Sequence, residues 1–270
     1  MFSFFNLLKH PYNNIFDFYN TNYIINNNNV IDYHKRIELF KSNKIKNFDL
    51  SYSNVNIIPI IAIYPRNNNY INIINEISKY FNIIIIIYSI NPLFPIDFNY
   101  FNKLSKNKHI HLIEVDNIGY DFYKYYIGIN YIINKFKFDR IILINDSFIF
   151  TRSIYDFIDY IKYSHNFYNL IGLNNSYEIN LHLQSFLISF DINICYEFIE
   201  YHKKNFNINH TLNDIINIFE IGFSNYIINN NKYKTDSFYY ITSNNNPYLE
   251  PELSNLIKLY SYPIEKTKKE

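Results

Sequence analysis

Several residue types are nearly absent from this sequence, and each shortage excludes a class of protein. One cysteine, Cys195, in 270 residues excludes an internal disulfide framework and is typical of a reducing compartment. A formal net charge of +1 leaves no basic excess for electrostatic binding of nucleic acid, so we expect no nucleic-acid partner. The longest apolar run, Ile83–Tyr88, is far shorter than the ~20 residues of a transmembrane helix. The first residues also lack the pattern of a secretory signal, and we expect a soluble cytoplasmic protein, with association at a membrane surface left open.

Short motifs of common nucleotide-binding and hydrolytic sites are also missing. The sequence has no GxxxxGK[ST] loop, no GxGxxG turn, no GxSxG elbow and no HExxH helix. Glycine occurs only four times, at Gly119, Gly128, Gly172 and Gly222, in a chain dominated by Ile, Asn, Tyr, Phe and Lys. Against that composition, each glycine is a candidate for a turn or a close backbone approach.

Hydrophobic residues form 48% of the chain, enough for a large core, and they follow two alternating patterns. Short runs of β-branched residues predict buried strands, at 57–64, 83–90, 109–115, 140–144, 169–173 and 183–190. Apolar residues at helical spacing predict helices, at 70–80, 120–135, 153–163, 192–203, 212–219 and 223–229. Strands that alternate with amphipathic helices favour an α/β fold, with a doubly wound, mostly parallel sheet and helices on both faces.

We predict a single main domain, because no linker rich in Pro, Gly or Ser divides the sequence. Residues 55–262 are predicted to form this domain. Residues 1–54 are predicted to be an N-terminal helical extension, and residues 263–270 a disordered tail. Sheets of this kind bind ligands at the carboxyl ends of their strands, so the polar segments that follow the strands are the candidates for a functional site.

The first such segment follows the third predicted strand and holds Asn117, Gly119 and Asp121. A glycine between a strand and a helix allows a ligand to approach the backbone, and the first turn of the helix offers free N–H groups to an anion. Asp121 could cap that helix or bind a ribose hydroxyl. The alternative is purely structural, because Asn and Gly make turns and Asp caps helices.

The second segment, Asn145, Asp146 and Ser147, ends an apolar strand. A carboxylate at this point lies at the ligand-binding edge of the sheet, and Mg²⁺ or Mn²⁺ in contact with a diphosphate prefers one or two carboxylates. Asp146 is therefore the predicted ligand of a divalent metal, and Asn145 and Ser147 would complete a polar cluster. Capping of the next helix is the alternative role of these residues.

The third and fourth segments supply two further carboxylates. Glu178 lies in a polar loop before His182 and Gln184, which alternate with leucines and would share one face of an extended segment. That face suits contact with a sugar or a phosphate, and a hydrogen-bonded structural histidine is the alternative. Glu220 lies beside Gly222 between two predicted helices, where it either faces the site or is a charge at a helix end capped by glycine.

Taken in order, these segments resemble the rhamnan synthesis protein F family of glycosyltransferases. The resemblance covers residues 57–240 and rests on Asn-Ile-Gly-Tyr-Asp, Asn-Asp-Ser, the segment from Gly172 to Glu178, His-Leu-Gln-Ser and Glu-Ile-Gly. It extends more loosely to inverting GT-A glycosyltransferases, in which a strand ends in an Asp-x-Asp motif. The sequence departs from the family in having only one carboxylate in Asn-Asp-Ser, Phe150-Thr151 where Gly-Pro is common, and Tyr125 where a tryptophan is found.

The resemblance implies a nucleotide-sugar donor, a glycan or lipid-linked acceptor and transfer of a hexose, with rhamnose as the sugar that the family name gives. By the same resemblance, the three residues of the first segment line the nucleotide-sugar site, and Asp146 lies at the position of the metal and the diphosphate. Inverting transfer also needs a general base at the acceptor hydroxyl, for which Glu178 is the first candidate and Glu220 the second. His182 and Gln184 would hold the sugar or a phosphate.

Two other hypotheses remain open from the sequence. With a single carboxylate in Asn-Asp-Ser, the chain could be a glycan- or nucleotide-binding protein that has lost turnover. It could also be a structural protein whose Asn-rich loops only imitate a site. A cleft that gathers Asn117, Asp121, Asp146, Glu178 and His182 would count against this structural hypothesis.

Overall fold

The computed structural model describes residues 55–239 and 262–266 of the chain. The predicted N-terminal extension, 1–54, lies outside the described residues, as do 240–261 and 267–270. In the two described ranges, no helix is long and apolar enough to cross a membrane.

The described residues form one large sheet with helices on both faces. The strands are Ile57–Ile63 (β1), Ile84–Tyr88 (β2), Ile110–Glu114 (β3), Arg140–Asn145 (β4), Phe148–Phe150 (β5), Leu170–Ser176 (β6), His182–Leu183 (β7), Leu187–Asp191 (β8), Thr235–Tyr239 (β9) and Ile264–Lys266 (β10). The α-helices are Asn69–Ile77 (α1), Phe98–Ser105 (α2), Tyr120–Lys135 (α3), Tyr155–Ser164 (α4), Ile192–Asn205 (α5), Leu212–Ile215 (α6) and Ser224–Ile228 (α7), and a π-helical segment, Ile216–Phe223, joins α6 to α7.

The sheet is mixed but mostly parallel. Its strand order is β3-β2-β1-β4-β8-β6-β7, with β9 also paired to β6. The pairs among β3, β2, β1 and β4 are parallel, as is the pair of β6 and β9, whereas β8 runs antiparallel between β4 and β6. Because β8 is antiparallel to both of its neighbours, β4 and β6 run in the same direction. Their carboxyl ends therefore lie at the same edge of the sheet. The predicted α/β class with a mostly parallel, doubly covered sheet is confirmed.

The strands β1 and β4 are buried on both faces, which explains their continuous apolar sequence. Along β1, Ile61 and Ile63 contribute to the core beneath α1, α2 and α4, while Ile60 and Ala62 contribute to the core beneath α3 and α5. This alternation follows from the two-residue period of a strand. The chain therefore has two apolar layers, one on each face of the sheet.

Three parts of the sequence fold differently from their prediction. The predicted strand at 183–190 is interrupted by a turn at Ser185 and Phe186, so that β7 and β8 are separate. The predicted helices at 212–219 and 223–229 are one continuous helical run, because the π-helical segment bridges them. Gly222 consequently lies inside this run and does not cap a helix end.

The strands β5, β9 and β10 are absent from the prediction. Part of the predicted disordered tail, 263–270, is ordered, since β10 pairs antiparallel with β5 through Ile264 and Phe150. Tyr262 and Ile264 are both buried in the core beneath α4, and this burial offsets the entropy cost of ordering the segment. With three residues each, β5 and β10 are too short for a periodic pattern to show, and β9, with the sequence TDSFY, lacks the β-branched apolar run that marks the predicted strands.

Gly128 sets how closely α3 approaches β1, and this contact gives a test of the packing. A Cβ atom at Gly128 would lie 2.6 Å from Ile60 Cγ2, closer than real contacts allow. We expect Gly128→Ala to lower the free energy of unfolding by about 1 kcal/mol, since overpacking outweighs the better helix propensity of alanine.

In an Ile60→Ala background the clash is gone, and the same substitution should instead raise the free energy of unfolding by up to ~1 kcal/mol, as helix propensity alone would do. Urea unfolding of the four proteins in this double-mutant cycle measures the effect. The same loss in both backgrounds would show that Gly128 is not limited by Ile60.

Candidate functional site

Two polar segments meet where the parallel strands β1 and β4 end. Asp146 directly follows β4, and the backbone N–H of Tyr64, which directly follows β1, donates to Asp146 Oδ2 at 3.1 Å. The side-chain amide of Asn69, at the start of α1, lies 3.4 Å from the carbonyl oxygen of Asp146. The carboxylate predicted for the ligand-binding edge is therefore held at that edge by the ends of two strands and one helix.

The turn before α3 has a left-handed backbone at two consecutive residues. Gly119 has φ +61° and Tyr120 has φ +53°. A Cβ atom at Gly119 would lie 2.4 Å from Phe206 Cε2, so the turn requires glycine both for its backbone angle and for space. The left-handed conformation of Tyr120 costs about 1–2 kcal/mol, which the surrounding contacts must offset.

Hydrogen bonds from Lys124 offset part of this conformational cost. Its side chain is fully buried, and its Nζ donates to Asn117 Oδ1 at 2.8 Å and to the carbonyl oxygen of Tyr120 at 3.3 Å. One ammonium group thus joins the two sides of the left-handed turn. Asn117 itself is exposed, which leaves the turn accessible from solvent.

The first and second predicted segments are in direct contact. Asn145 Nδ2 donates to Asp121 Oδ2 at 2.9 Å, and Asn145 Oδ1 accepts from Ser147 Oγ at 2.7 Å. Lys266, on β10, donates from Nζ to Ser147 Oγ at 3.1 Å. The chain of contacts from Asp121 to Lys266 brings residues far apart in sequence to one edge of the sheet.

Asp121 and Asp146 are half-buried carboxyl groups whose pKa values both lie above the ordinary value. Burial raises the pKa of Asp146 to about 8, and the charge of Asp121 adds to this rise. Burial also raises the pKa of Asp121, although Lys124, Asn145, Arg66 and Lys266 act in the opposite direction. The pKa of Lys124 is lowered by burial, against the attraction of both carboxylates. The two acids and the lysine therefore form one coupled cluster.

Glu220 lies close to the same cluster. Its Oε1 accepts a long hydrogen bond from the backbone N–H of Ser185, at 3.4 Å. Tyr125, whose hydroxyl donates to the carbonyl oxygen of Ser185 at 3.3 Å, has a pKa raised by burial and by the charges of Asp121, Glu220 and Asp146. Glu220 and the two aspartates therefore all lie within electrostatic range of Tyr125.

The other predicted residues, Glu178, His182 and Gln184, lie in the turn between β6 and β7, in β7 and just after β7. Glu178 is exposed in the turn between β6 and β7, where its N–H donates to Ser176 Oγ at 3.2 Å. His182 is buried, with Nδ1 2.8 Å from the carbonyl oxygen of Asn180. Gln184 is also buried, and its Oε1 accepts from the side-chain amide of Asn174.

Strand β7 ends at Leu183, so Gln184 lies just beyond it, and the shared face of His182 and Gln184 stays a prediction. The contacts described above connect Asn117, Asp121 and Asp146 but involve neither Glu178 nor His182. That one cleft gathers all five residues stays a prediction.

Sequence reasoning missed several residues that the fold brings to this edge. Lys124 carries a signal that could have been used, because a lysine among buried positions of an amphipathic helix needs a polar partner. Arg66 lies three residues after the end of β1, and its charge acts on Asp121, so a cation shortly after an apolar strand is a usable signal as well. Lys266 gave no signal, because only the pairing of β10 with β5 brings it near Ser147.

The residues present suit a divalent metal bound together with a phosphate ligand. Mg²⁺ and Mn²⁺ are commonly held by one or two carboxylates, with phosphate oxygens and waters completing the shell, and Asp121 and Asp146 supply two. Within 55–239 and 262–266, no group of three or more His, Cys, Asp or Glu side chains is arranged to hold a metal ion on its own. Tight binding of a metal alone is thus not expected from these residues.

Comparison with known proteins gives similarity in fold alone. No protein-family model matches the sequence. No curated protein matches it either. The resemblance to the rhamnan synthesis protein F family therefore stays a prediction.

Among solved structures, TarS 1–349 of S. aureus is similar with a TM-score of 0.46 and 12% identity, over 76% of this chain and 65% of that chain. The mannosyltransferase PcManGT of Pyrobaculum calidifontis, in complex with GDP-Man and Mn²⁺, is similar with a TM-score of 0.47 and 7% identity, over 76% and 63%. The glycosyltransferase GlyE of Streptococcus pneumoniae has a TM-score of 0.39 and 12% identity, over 67% and 45%. This chain spans less than two thirds of each of these structures, and similarity at this level indicates no substrate.

The raised pKa of Asp146 predicts a stability that depends on pH. The folded protein binds the Asp146 proton up to a pKa of about 8, whereas the unfolded chain releases it near the ordinary pKa of 3.8. The unfolded state therefore binds fewer protons between these values, and stability falls as pH rises through this window. Asp146→Asn removes the effect and should raise the melting temperature at pH 8, by ~2–4 °C for each 1 kcal/mol recovered, with a smaller change at pH 5.

Asp214→Asn is the matched control, because hydrogen bonds from Thr211 lower the pKa of the Asp214 carboxyl group. Its substitution should reduce stability near neutral pH. Melting curves from pH 5 to pH 8.5 for the three proteins measure both effects. A melting temperature of Asp146→Asn that stays at or below that of wild type at pH 8 would contradict the account of this site.

Proposed function

We propose that this chain is a nucleotide-sugar-dependent glycosyltransferase whose donor binds at the edge where β1 and β4 end. The observation that carries the proposal is the pair of half-buried carboxyl groups, Asp121 and Asp146, held beside a glycine turn and the start of α3. Burial of two acids side by side costs stability, and such a cost is typical of functional sites. The sequence resemblance described above supports the same function.

Binding of the donor would use charges of both signs. Asp121 and Asp146 would hold a divalent metal, which supplies neutralisation of the charge that develops on the leaving diphosphate. Besides Lys124, the charges of Arg66 and Lys266 act on Asp121, and we propose that these two side chains contact the phosphate oxygens. Asn117 and Gly119 would line the nucleotide side of the site, with Asn145 and Ser147 fixing the position of Asp121.

Transfer would proceed by displacement at the anomeric carbon of the donor sugar. The acceptor hydroxyl loses its proton to a carboxylate, its oxygen forms the new glycosidic bond, and the bond to the diphosphate breaks with its electron pair on the phosphate oxygen. We propose Glu220 as the general base, ahead of Glu178, because Glu220 lies near Asp121 and Asp146 whereas Glu178 is exposed in a hairpin turn. Inversion at the anomeric carbon would follow from such a single displacement.

The finer features of this function are also proposals. A hexose, with rhamnose named by the resemblance, is the transferred sugar, and a glycan or a lipid-linked glycan is the acceptor. His182 and Gln184 would support the sugar site indirectly, since Nδ1 of His182 and Oε1 of Gln184 already have protein partners. A cytoplasmic location and a role in polysaccharide synthesis complete the proposal.

Thermal denaturation in the presence of UDP-, GDP- and dTDP-sugars, with and without Mn²⁺, tests the donor site. A ligand at 100 times its Kd stabilises the folded state by about 2.7 kcal/mol, which corresponds to a rise of roughly 5–10 °C. We expect such a rise for one nucleotide class in the presence of Mn²⁺. Asp146→Asn should abolish it, and the exposed substitution Glu200→Gln on α5 should leave it unchanged.

An assay of nucleoside diphosphate release, with wild type and with Glu220→Gln, distinguishes an enzyme from a binding protein. We expect this variant to keep the thermal rise but to lose at least about 10²-fold in kcat. A thermal rise without any product from wild type would favour a nucleotide-binding protein that lacks turnover, as the single acid of Asn-Asp-Ser suggests. No rise with any of the donors would contradict the proposed function.

A further inference from the structure

The loop that follows β2 exposes an unusual concentration of apolar side chains. Leu93 is 83% exposed, Phe98 60%, Ile90 49% and Phe94 48%. Among the described residues, these are four of the eleven large apolar side chains that are exposed, and all four fall within nine positions. We call residues 90–98 the apolar loop. Contiguous exposed apolar surface of this kind marks contact with another molecule or with a membrane.

The exposure of the apolar loop is fixed by buried residues on both sides of its tip. Asn91 is 5% exposed, and its side-chain amide donates to the carbonyl oxygen of Pro65 at 2.7 Å. Its Oδ1 accepts from the N–H of Leu93 at 3.0 Å, and Ile96 is buried in the core beneath α1 and α2. With anchors before and after them, Leu93 and Phe94 cannot turn inward without breaking these contacts.

Positive charges lie beside the apolar loop. Lys103, Lys106 and Lys108 are exposed on α2 and the turn after it. The helix packs its other side into the core through Phe101, so the helical period directs Lys103 and Lys106 outward. The one acid between residues 90 and 109 is Asp97, whose Oδ1 accepts from the N–H of Tyr100 at 3.0 Å to cap α2.

The neighbouring acids do not cancel this charge. Glu114 ends the edge strand β3 and accepts a hydrogen bond from the Tyr88 hydroxyl at 3.1 Å, and Asp116 follows in the next turn. Both belong to the segment after β3, whereas the lysines lie on α2 and before β3. The surface of α2 itself is therefore positive next to an apolar tip.

We propose that the apolar loop and the outer face of α2 bind the surface of an anionic lipid bilayer. Lysine is depleted in protein interfaces, whereas apolar side chains flanked by lysines are typical of segments that rest in the headgroup region of a membrane. Leu93 and Phe94 would enter the boundary of the acyl chains, and the neighbouring lysines would be attracted to the anionic headgroups. The loop follows the carboxyl end of β2, at the same edge as Asp146, so the bound protein would have its candidate site on the membrane side.

Cosedimentation of the full chain with lipid vesicles tests this proposal, whether or not the chain transfers sugars. Two vesicle types are needed, pure phosphatidylcholine and phosphatidylcholine with about 30% phosphatidylglycerol. Binding should be strong only to the anionic vesicles and should weaken as salt is raised. Leu93→Ser with Phe94→Ser should weaken binding at least about tenfold, because two large apolar side chains no longer leave water. Lys103→Glu with Lys106→Glu should weaken it at least about tenfold as well.

Matched variants elsewhere on the surface control for general effects. Ile208→Ser removes an apolar side chain that is 63% exposed, and Lys203→Glu with Lys204→Glu makes the same change in net charge on α5. Both should bind vesicles as wild type does. Absence of wild-type binding to anionic vesicles, or equal weakening by the control variants, would overturn the proposal. So would a dimer in gel filtration that the Leu93 and Phe94 variant converts to a monomer, since a second copy would then cover the loop.

Discussion

Two acids lie side by side at this edge of the sheet, Asp146 after β4 and Asp121 in the first turn of α3. The surrounding residues must offset the cost of burying both. Asp121 and Asp146 each lose water on folding and each raises the cost of ionising the other. The structure offsets part of this cost with the N–H of Tyr64 and the side-chain amide of Asn145. Lys124 adds a positive charge from inside α3 but directs its hydrogen bonds to Asn117 and Tyr120. The carboxyl groups consequently stay available to a ligand while the turn beside them is held rigid.

The position of the two acids follows from the fold. The strands β1 and β4 are buried on both faces, so their ends are fixed with respect to each other and to the helices that follow. The left-handed turn at Gly119 and Tyr120 is strained, yet it lies between a strand and the first turn of α3, where free N–H groups favour an anion. Backbone strain and buried charge are each typical of functional sites, and both occur at this edge. The short strand β10 completes the edge by bringing Lys266 to Ser147.

Much of the fold could be predicted from the sequence, because β1, β2, β4 and α3 carry strong patterns of one period. The contact of Asp121 with Asn145 could also be anticipated, since the carboxyl ends of parallel strands meet at one edge. Gln184 shows where such prediction ends, because the turn at Ser185 and Phe186 breaks an apolar run that looks continuous in the sequence. Lys266 depends on a pairing of three residues per strand, and so short a ladder leaves no pattern in the sequence.

A crystal structure with a nucleoside diphosphate and Mn²⁺ would show whether the donor binds at this edge. We expect the metal between the carboxylates of Asp121 and Asp146, with the phosphate oxygens toward Lys266 and Arg66 and the nucleoside beside the turn at Gly119. A diphosphate bound at another edge of the sheet, or bound here with both carboxylates outside contact distance of the metal and the phosphates, would contradict it.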